Sequence, residues 1–220
     1  MVQSRGILVI LMMISLASCQ TSDDVKALLT DLFKTNSYNK IVRPVYHQAD
    51  EVTVYVDLFL AGDIYLDEVT GKMTLNAYLG LSWYDEHLTW SKDDYNGVKT
   101  VYIPQDDIWK PDIILENNFN KLEAFGDASI LTSVYSTGEV VWVPFELFFT
   151  ICHIDVTDFP FDIQICTLQI AMLATRVDEV TLDIGSEGIN FDAFEDSGEW
   201  HLLSSSIKLD TSGTHGASVT

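Results

Sequence analysis

The sequence predicts an all-β fold, two packed sheets behind a single N-terminal helix. Three observations carry this reading. From Val52 onward, apolar and polar residues alternate at the period of a strand, in several separate runs. The runs are short and divided by turn-forming clusters, the pattern of a sandwich or barrel. A helical period is evident only near the start, over residues 22–35.

In chain order, residues 1–19 read as a targeting segment. Arg5 gives a positive start, residues 6–17 form a short apolar run, and Ala17 and Cys19 occupy the small-residue cleavage positions. The mature domain is then expected over residues 20–220. Leu16-Ala17-Ser18-Cys19 also fits a lipoprotein box, with Cys19 carrying lipid. In the helix, Ser22 is the expected cap, Asp23 and Asp24 suit the positive end, and Val25, Leu28, Leu29, Leu32 and Phe33 share one face.

Val52, Val54, Val56, Leu58 and Leu60 then alternate with Thr53, Tyr55, Asp57 and Phe59. A second run carries Met73, Leu75, Ala77, Leu79, Leu81 and Trp83 on one face. Asp67 to Lys72 is the turn between them. Residues 130–135 and 139–143 flank Ser136-Thr137-Gly138, a hairpin pattern. Further strands are expected at 164–172, 177–184 and 199–209. Residues 211–216 read as a loop, and 217–220 as the start of a last strand that is cut short. The expected architecture is therefore a two-sheet, immunoglobulin-like β-sandwich, incomplete at its C-terminus.

Apolar residues make up 47% of the chain and aromatics 11%, enough for one sizeable core. The formal net charge is -21, from 12 basic and 33 acidic residues. Such a surface repels phosphate backbones, which excludes nucleic acid as a partner. It concentrates cations, or it serves solubility alone. After residue 20 no apolar stretch is long enough to span a membrane, and no Asn-x-Ser/Thr acceptor occurs.

Beyond the targeting segment two cysteines remain, Cys152 and Cys166, and one even pair in a secreted chain reads as one disulfide. They enclose thirteen residues. Closing such a loop stabilises a fold by about 3 kcal/mol in the chain-entropy account. Pro160, between Phe159 and Phe161, favours a turn with either a trans or a cis bond. On packing grounds alone both rings are expected to fill the base of the sandwich. The alternative is contact with a second apolar surface.

The loop sequence resembles the signature loop of the Cys-loop receptors: cysteine, thirteen residues, cysteine, with Phe159-Pro160-Phe161-Asp162 inside. Other segments are similar to the same family in order and spacing. They are residues 38–44, Trp83-Tyr84-Asp85 with Leu88-Thr89-Trp90, Ile108-Trp109-Lys110-Pro111-Asp112, residues 138–144, and Ser197-Gly198-Glu199-Trp200. The nicotinic branch is the nearest match.

The resemblance implies rings of five, with a small ligand between neighbouring subunits under a loop near residues 207–217. It implies four membrane helices following this domain in full-length receptors. It implies that Phe159, Pro160, Phe161 and Asp162, with Asp67 and Glu68, couple ligand binding to a pore. The chain is then extracellular, at the cell surface through helices absent here. The alternative is a secreted binding protein without a pore, and a generic sandwich hydrolase or lectin remains a third possibility.

The family's ligand cage holds a quaternary ammonium against aromatic faces. Carried over by position, its first-loop tyrosine falls at Glu116 and its second-loop tryptophan at Leu173. Residues 201–220 contain neither tyrosine nor cysteine, where the third loop would supply both. Tyr78 keeps an aromatic position of the complementary face, and Val141 and Val143 complete that wall. The chain is thus expected to be a non-alpha-type partner, or to take another ligand. Glu116 is either an exposed loop carboxylate or a group in a partly apolar cleft that would meet an amine.

No cofactor or metal is expected. His47, His87, His153, His201 and His215 lack close ligand spacing. Asp93-Asp94 and Asp106-Asp107 read as solvated turns or calcium ligands, and Trp83, Trp90 and Trp109 as core. No nucleophile motif accompanies the acidic pairs, so catalysis is not expected.

Overall fold

A computed structural model describes residues 20–121, 123–194, 199–210 and 216–220. The predicted targeting segment, Ser197-Gly198 of the last motif and the predicted loop at 211–215 lie outside these residues. Helix α1 spans Ser22–Thr30 and continues through a π-helical turn, Asp31–Thr35. Its cap is Thr21 rather than Ser22, which already lies inside the first turn. The Thr21 backbone N–H donates to Asp24 at 2.8 Å, and Asp24 N–H donates back to the Thr21 hydroxyl, closing a capping box. Leu28 and Leu32 bury the inner face.

Eleven strands follow among the described residues: β1 (Val52–Asp67), β2 (Lys72–Tyr84), β3 (Thr100–Pro104), β4 (Ile113–Leu115), β5 (Leu131–Tyr135), β6 (Glu139–Trp142), β7 (Phe145–Ile151), β8 (Leu168–Met172), β9 (Val180–Asn190), β10 (Ile207–Asp210) and β11 (Gly216–Val219). One sheet has the order β3-β5-β6-β2-β1-β9, with β7 also pairing β2. The other has the order β10-β11-β8-β4. This is the expected sandwich.

The sheets meet over Trp83, Trp142, Phe148, Leu79, Leu81 and Ile170, all fully buried. The alternation along β1 and β2 sends every second residue inward, as the period required. Trp83 packs edge-to-face on Trp109, with ring centroids 5.6 Å apart. Trp142 donates its indole N–H to the buried Gln105 Oε1 at 2.8 Å.

Several strands depart from expectation. The run at 164–172 pairs only from Leu168, because residues 162–167 form an unpaired arm leaving the disulfide loop. Residues 199–205 likewise lie outside any strand, while Ser206 exchanges two backbone hydrogen bonds with Thr220 at the start of β10. Val143 falls outside β6, since Pro144 interrupts the strand and β7 restarts at Phe145. Strands β3, β4 and β7 were not anticipated.

A buried polar knot explains the Trp-x-Asp motif. Asp85 is fully buried. It accepts from the Tyr38 hydroxyl at 2.7 Å and from His87 N–H at 2.9 Å. Tyr38 in turn accepts from Trp109 N–H at 3.0 Å. Three distant segments are thus tied at one carboxylate. Burial pushes the Asp85 carboxyl above its ordinary range, partly offset by the Tyr38 hydroxyl. Burial, reinforced by the Asp85 charge, pushes the Tyr38 phenol up as well.

Candidate functional site

At one end of the sandwich, Cys152 and Cys166 form a disulfide with Cα atoms 5.0 Å apart. The loop they close has its own internal clamp. The Gln164 amide donates to the Asp155 carbonyl at 2.7 Å and to Asp162 Oδ2 at 2.5 Å, while its oxygen accepts from Asp155 N–H at 3.0 Å. Phe161 N–H donates to Asp158 O at 2.8 Å, and the Phe159–Pro160 bond is cis. The two rings do not fill the sandwich base: Phe159 is 77% exposed and Phe161 89%. The clamped loop presents its tip outward, away from the core.

The β1–β2 turn is joined to this loop. Cys152 N–H donates to the Gly71 carbonyl at 2.8 Å, and a Cβ at Gly71 would stand 2.7 Å from the Cys152 carbonyl oxygen. Gly71 also has φ +68°, so glycine is required there twice over. Leu66, Met73 and Cys152 form a small separate apolar cluster beneath the junction. Asp67 caps the turn, its Oδ1 accepting from Val69 and Thr70 N–H at 3.0 and 3.2 Å. Glu68 is exposed on the turn. Beside it Val69, which sequence reasoning missed, is 95% exposed.

On the outward face of the seven-stranded sheet, Tyr78 stacks on Phe59, with centroids 4.9 Å apart and planes 5° from parallel. Its other side meets Phe145 at 5.2 Å. Gly80 makes room, since a Cβ there would lie 2.8 Å from the Phe59 ring. Val141 and Val143 share the outward side and are half-buried. Sequence reasoning named Tyr78 and missed Phe59 and Phe145. The turn register, Asp67 opposite Lys72, extrapolates to Phe59 opposite Gly80, but an irregularity between Leu60 and Ile64 moves it opposite Tyr78.

A family model for the neurotransmitter-gated ion-channel ligand binding domain matches residues 25–218. The chain belongs to this family. Similar proteins include acetylcholine receptor subunit alpha-1-A of Xenopus laevis, 39% identical over 88% of this chain and 42% of that one. Acetylcholine receptor subunit beta-like 1 of Drosophila melanogaster is 34% identical over 88% and 37%, and the delta subunit of Mus musculus 31% over 95% and 42%. The chain spans about two-fifths of the length of these relatives. The family is one of extracellular domains of ligand-gated channels, not of enzymes.

The edge that carries Glu116 and Leu173 has a regular, well-held backbone. Glu116 N–H donates to Gln169 O at 2.7 Å, and Leu173 N–H to Asp112 O at 2.9 Å, so both flank the β4–β8 ladder. Four residues of ladder separate them, about 13 Å. Asp112, from the Ile-Trp-x-Pro-Asp motif, holds the second loop. Its carboxylate accepts from Ala174 N–H at 2.6 Å, Thr175 N–H at 3.1 Å and the Thr175 hydroxyl at 2.6 Å. Asn117 bridges Thr167 O and Gln169 N–H on the other side. On this intact frame Glu116 is exposed and Leu173 is 61% exposed.

Among the described residues, no group of three or more His, Cys, Asp or Glu side chains is arranged for a metal. Asp106 is paired with Lys110 at 3.0 Å, which lowers its carboxyl below the ordinary range. Among the same residues no helix is long and apolar enough to cross a membrane.

Proposed function

We propose that the chain is the extracellular ligand-binding domain, residues 20–220, of a nicotinic-like channel subunit that supplies the complementary half of a site between neighbours. The observation that carries this is the pairing of the two loops at one end. An exposed Phe159-Pro160-Phe161 tip is hydrogen-bonded through Cys152 to the β1–β2 turn carrying Asp67, Glu68 and Val69. Exposed apolar side chains on a clamped loop suit contact with a further apolar body, here the membrane part of a full-length receptor.

The ligand reading rests on the aromatic set Phe59, Tyr78 and Phe145, with Val141 and Val143 beside it. Phe145, 69% exposed, offers a ring face to an organic ammonium brought by a neighbour's loops. Glu116 and Leu173 offer none, so this chain's own principal edge does not close a cage. It assembles in a pentamer with subunits whose principal loops are aromatic.

The test replaces the matching domain of a nicotinic subunit with this one and records currents. Co-expressed with a subunit that has an aromatic principal face, the chimera is expected to respond to acetylcholine. Alone it is expected to stay silent, and Tyr78→Ala is expected to weaken the mixed response. Tight acetylcholine binding by a homopentamer would overturn the assignment.

A further inference from the structure

Between the two sheets, at the end that carries the disulfide loop, lies a cleft of about 730 Å³. Protein interiors seldom leave such space, since cores pack at the density of organic crystals. The volume lies within the range of small-molecule pockets. Its floor is core, with Leu58, Leu75 and Leu168 from both sheets. Its mouth gathers large apolar side chains that are exposed: Ile163 and Ile165 on the outgoing arm of the disulfide loop, and Leu202 and Leu203 opposite. Phe191, Phe194 and Trp200 add aromatic lining.

The polar lining selects the occupant. Among the described residues no lysine or arginine lines the cleft; its polar side chains are Gln164, His201, the hydroxyls of Ser204 to Ser206 and Thr220, and Asp162, the one carboxylate. Its Oδ2 accepts from Gln164, which leaves lone pairs on the carboxylate for an added donor. An anionic ligand would meet that carboxylate and a chain of formal charge -21. A cationic head gains from both, while an apolar body fills the floor.

We infer that this cleft is a binding site for a small hydrophobic monoamine, its ammonium at Asp162 and its body between the sheets. The described lining comes from one chain. The site does not rest on the ligand reading above or on any neighbouring subunit.

The experiment uses the purified chain and three probes with one body: 4-phenylbutylamine, 4-phenylbutan-1-ol and 4-phenylbutyrate, followed by titration calorimetry. The amine is expected to bind one to one, the alcohol about tenfold more weakly, and the carboxylate not measurably. Asp162→Asn is expected to bring the amine to the affinity of the alcohol. Leu203→Trp, at an exposed position on the mouth, is expected to weaken the amine at least about tenfold with an unchanged circular dichroism spectrum. Equal binding of all three probes, no binding of the amine, or amine binding that neither substitution alters would each overturn the inference. A functional chimera with no amine in the cleft would leave the channel assignment standing and remove this site alone.

Discussion

The disulfide-loop end and the β4–β8 edge were both identified by position within family motifs, yet they keep different things. At the loop end the apolar tip and its support are both present: the disulfide, the Gln164 clamp and the Gly71–Cys152 bond. At the β4–β8 edge only the support is present. Asp112 and Asn117 hold the backbone, while Glu116 and Leu173 stand where aromatic rings are expected. The difference separates two kinds of requirement. On the proposed function, contact with a membrane body depends on shape, so frame and tip persist together. Ligand choice depends on a few outward side chains, which can change without disturbing the ladder beneath.

The sharpest way to break this comparison is to remove the covalent frame at one end and watch the other. Cys152→Ala with Cys166→Ala is expected to lower stability by about 3 kcal/mol in urea unfolding. Hydrogen exchange at the Ala174 and Thr175 amides should keep its rank relative to global unfolding. A loss below about 1 kcal/mol, or selective opening of Ala174 and Thr175, would mean that the two regions are not separately supported.

A smaller effect is expected at the junction. Gly71→Ala forces a β-carbon against the Cys152 carbonyl at a positive φ, at a cost of about 2 kcal/mol. Gly97→Ala is the control. It shares a positive φ, +87°, but a Cβ there meets nothing within 4 Å, so about 1 kcal/mol is expected. Equal losses in urea unfolding would show that the close approach to Cys152 carries no weight.

The complementary change is made at the other region. Glu116→Tyr with Leu173→Trp puts rings back on an unchanged ladder. If only the side chains are lacking, affinity for tetramethylammonium should rise by about tenfold in the assembled protein, the scale of one desolvated cation–π contact. No gain by calorimetry would mean that the frame itself has shifted.

How much of this was legible follows from the same distinction. The helix, the β1–β2 hairpin and the β5–β6 hairpin were readable because one period runs long enough to be seen. Strand β4 was not, because Ile113, Ile114 and Leu115 are all buried and so do not alternate. Strand β7 was hidden in the apolar run Phe145-Glu146-Leu147-Phe148-Phe149. The disulfide was legible from the one even pair of cysteines, but the Phe59–Tyr78–Phe145 stack depends on a register irregularity inside β1 that no local pattern marks. Sequence packing logic also placed Phe159 and Phe161 inside. It had no way to weigh the Gln164 clamp on the loop that presents them outward. The interior cleft was invisible for the opposite reason: every residue on its floor reads as ordinary core.

The smallest effect distinguishes the regions by acid. Asp85 anchors the β4–β8 edge through Tyr38 and Trp109, and burial raises its carboxyl above the ordinary range. Its native form therefore binds a proton more readily than the unfolded chain does. Its share of stability rises as pH falls through the raised value, and levels off near the unfolded value of about 4. Asp67 and Asp155 at the loop end behave oppositely. Hydrogen bonds from Thr70 and Thr157, respectively, lower their carboxyls, so their share is present above about 4 and lost as pH falls through the lowered values. Urea midpoints from pH 7 to pH 2.5 should separate the two. Relative to Asp85→Asn, the natural chain should gain stability on mild acidification. Relative to Asp155→Asn, it should lose its advantage only at the acid end. A steady loss against Asp85→Asn from pH 7 downward would mean that the fold lowers the Asp85 carboxyl, the reverse of what its burial does.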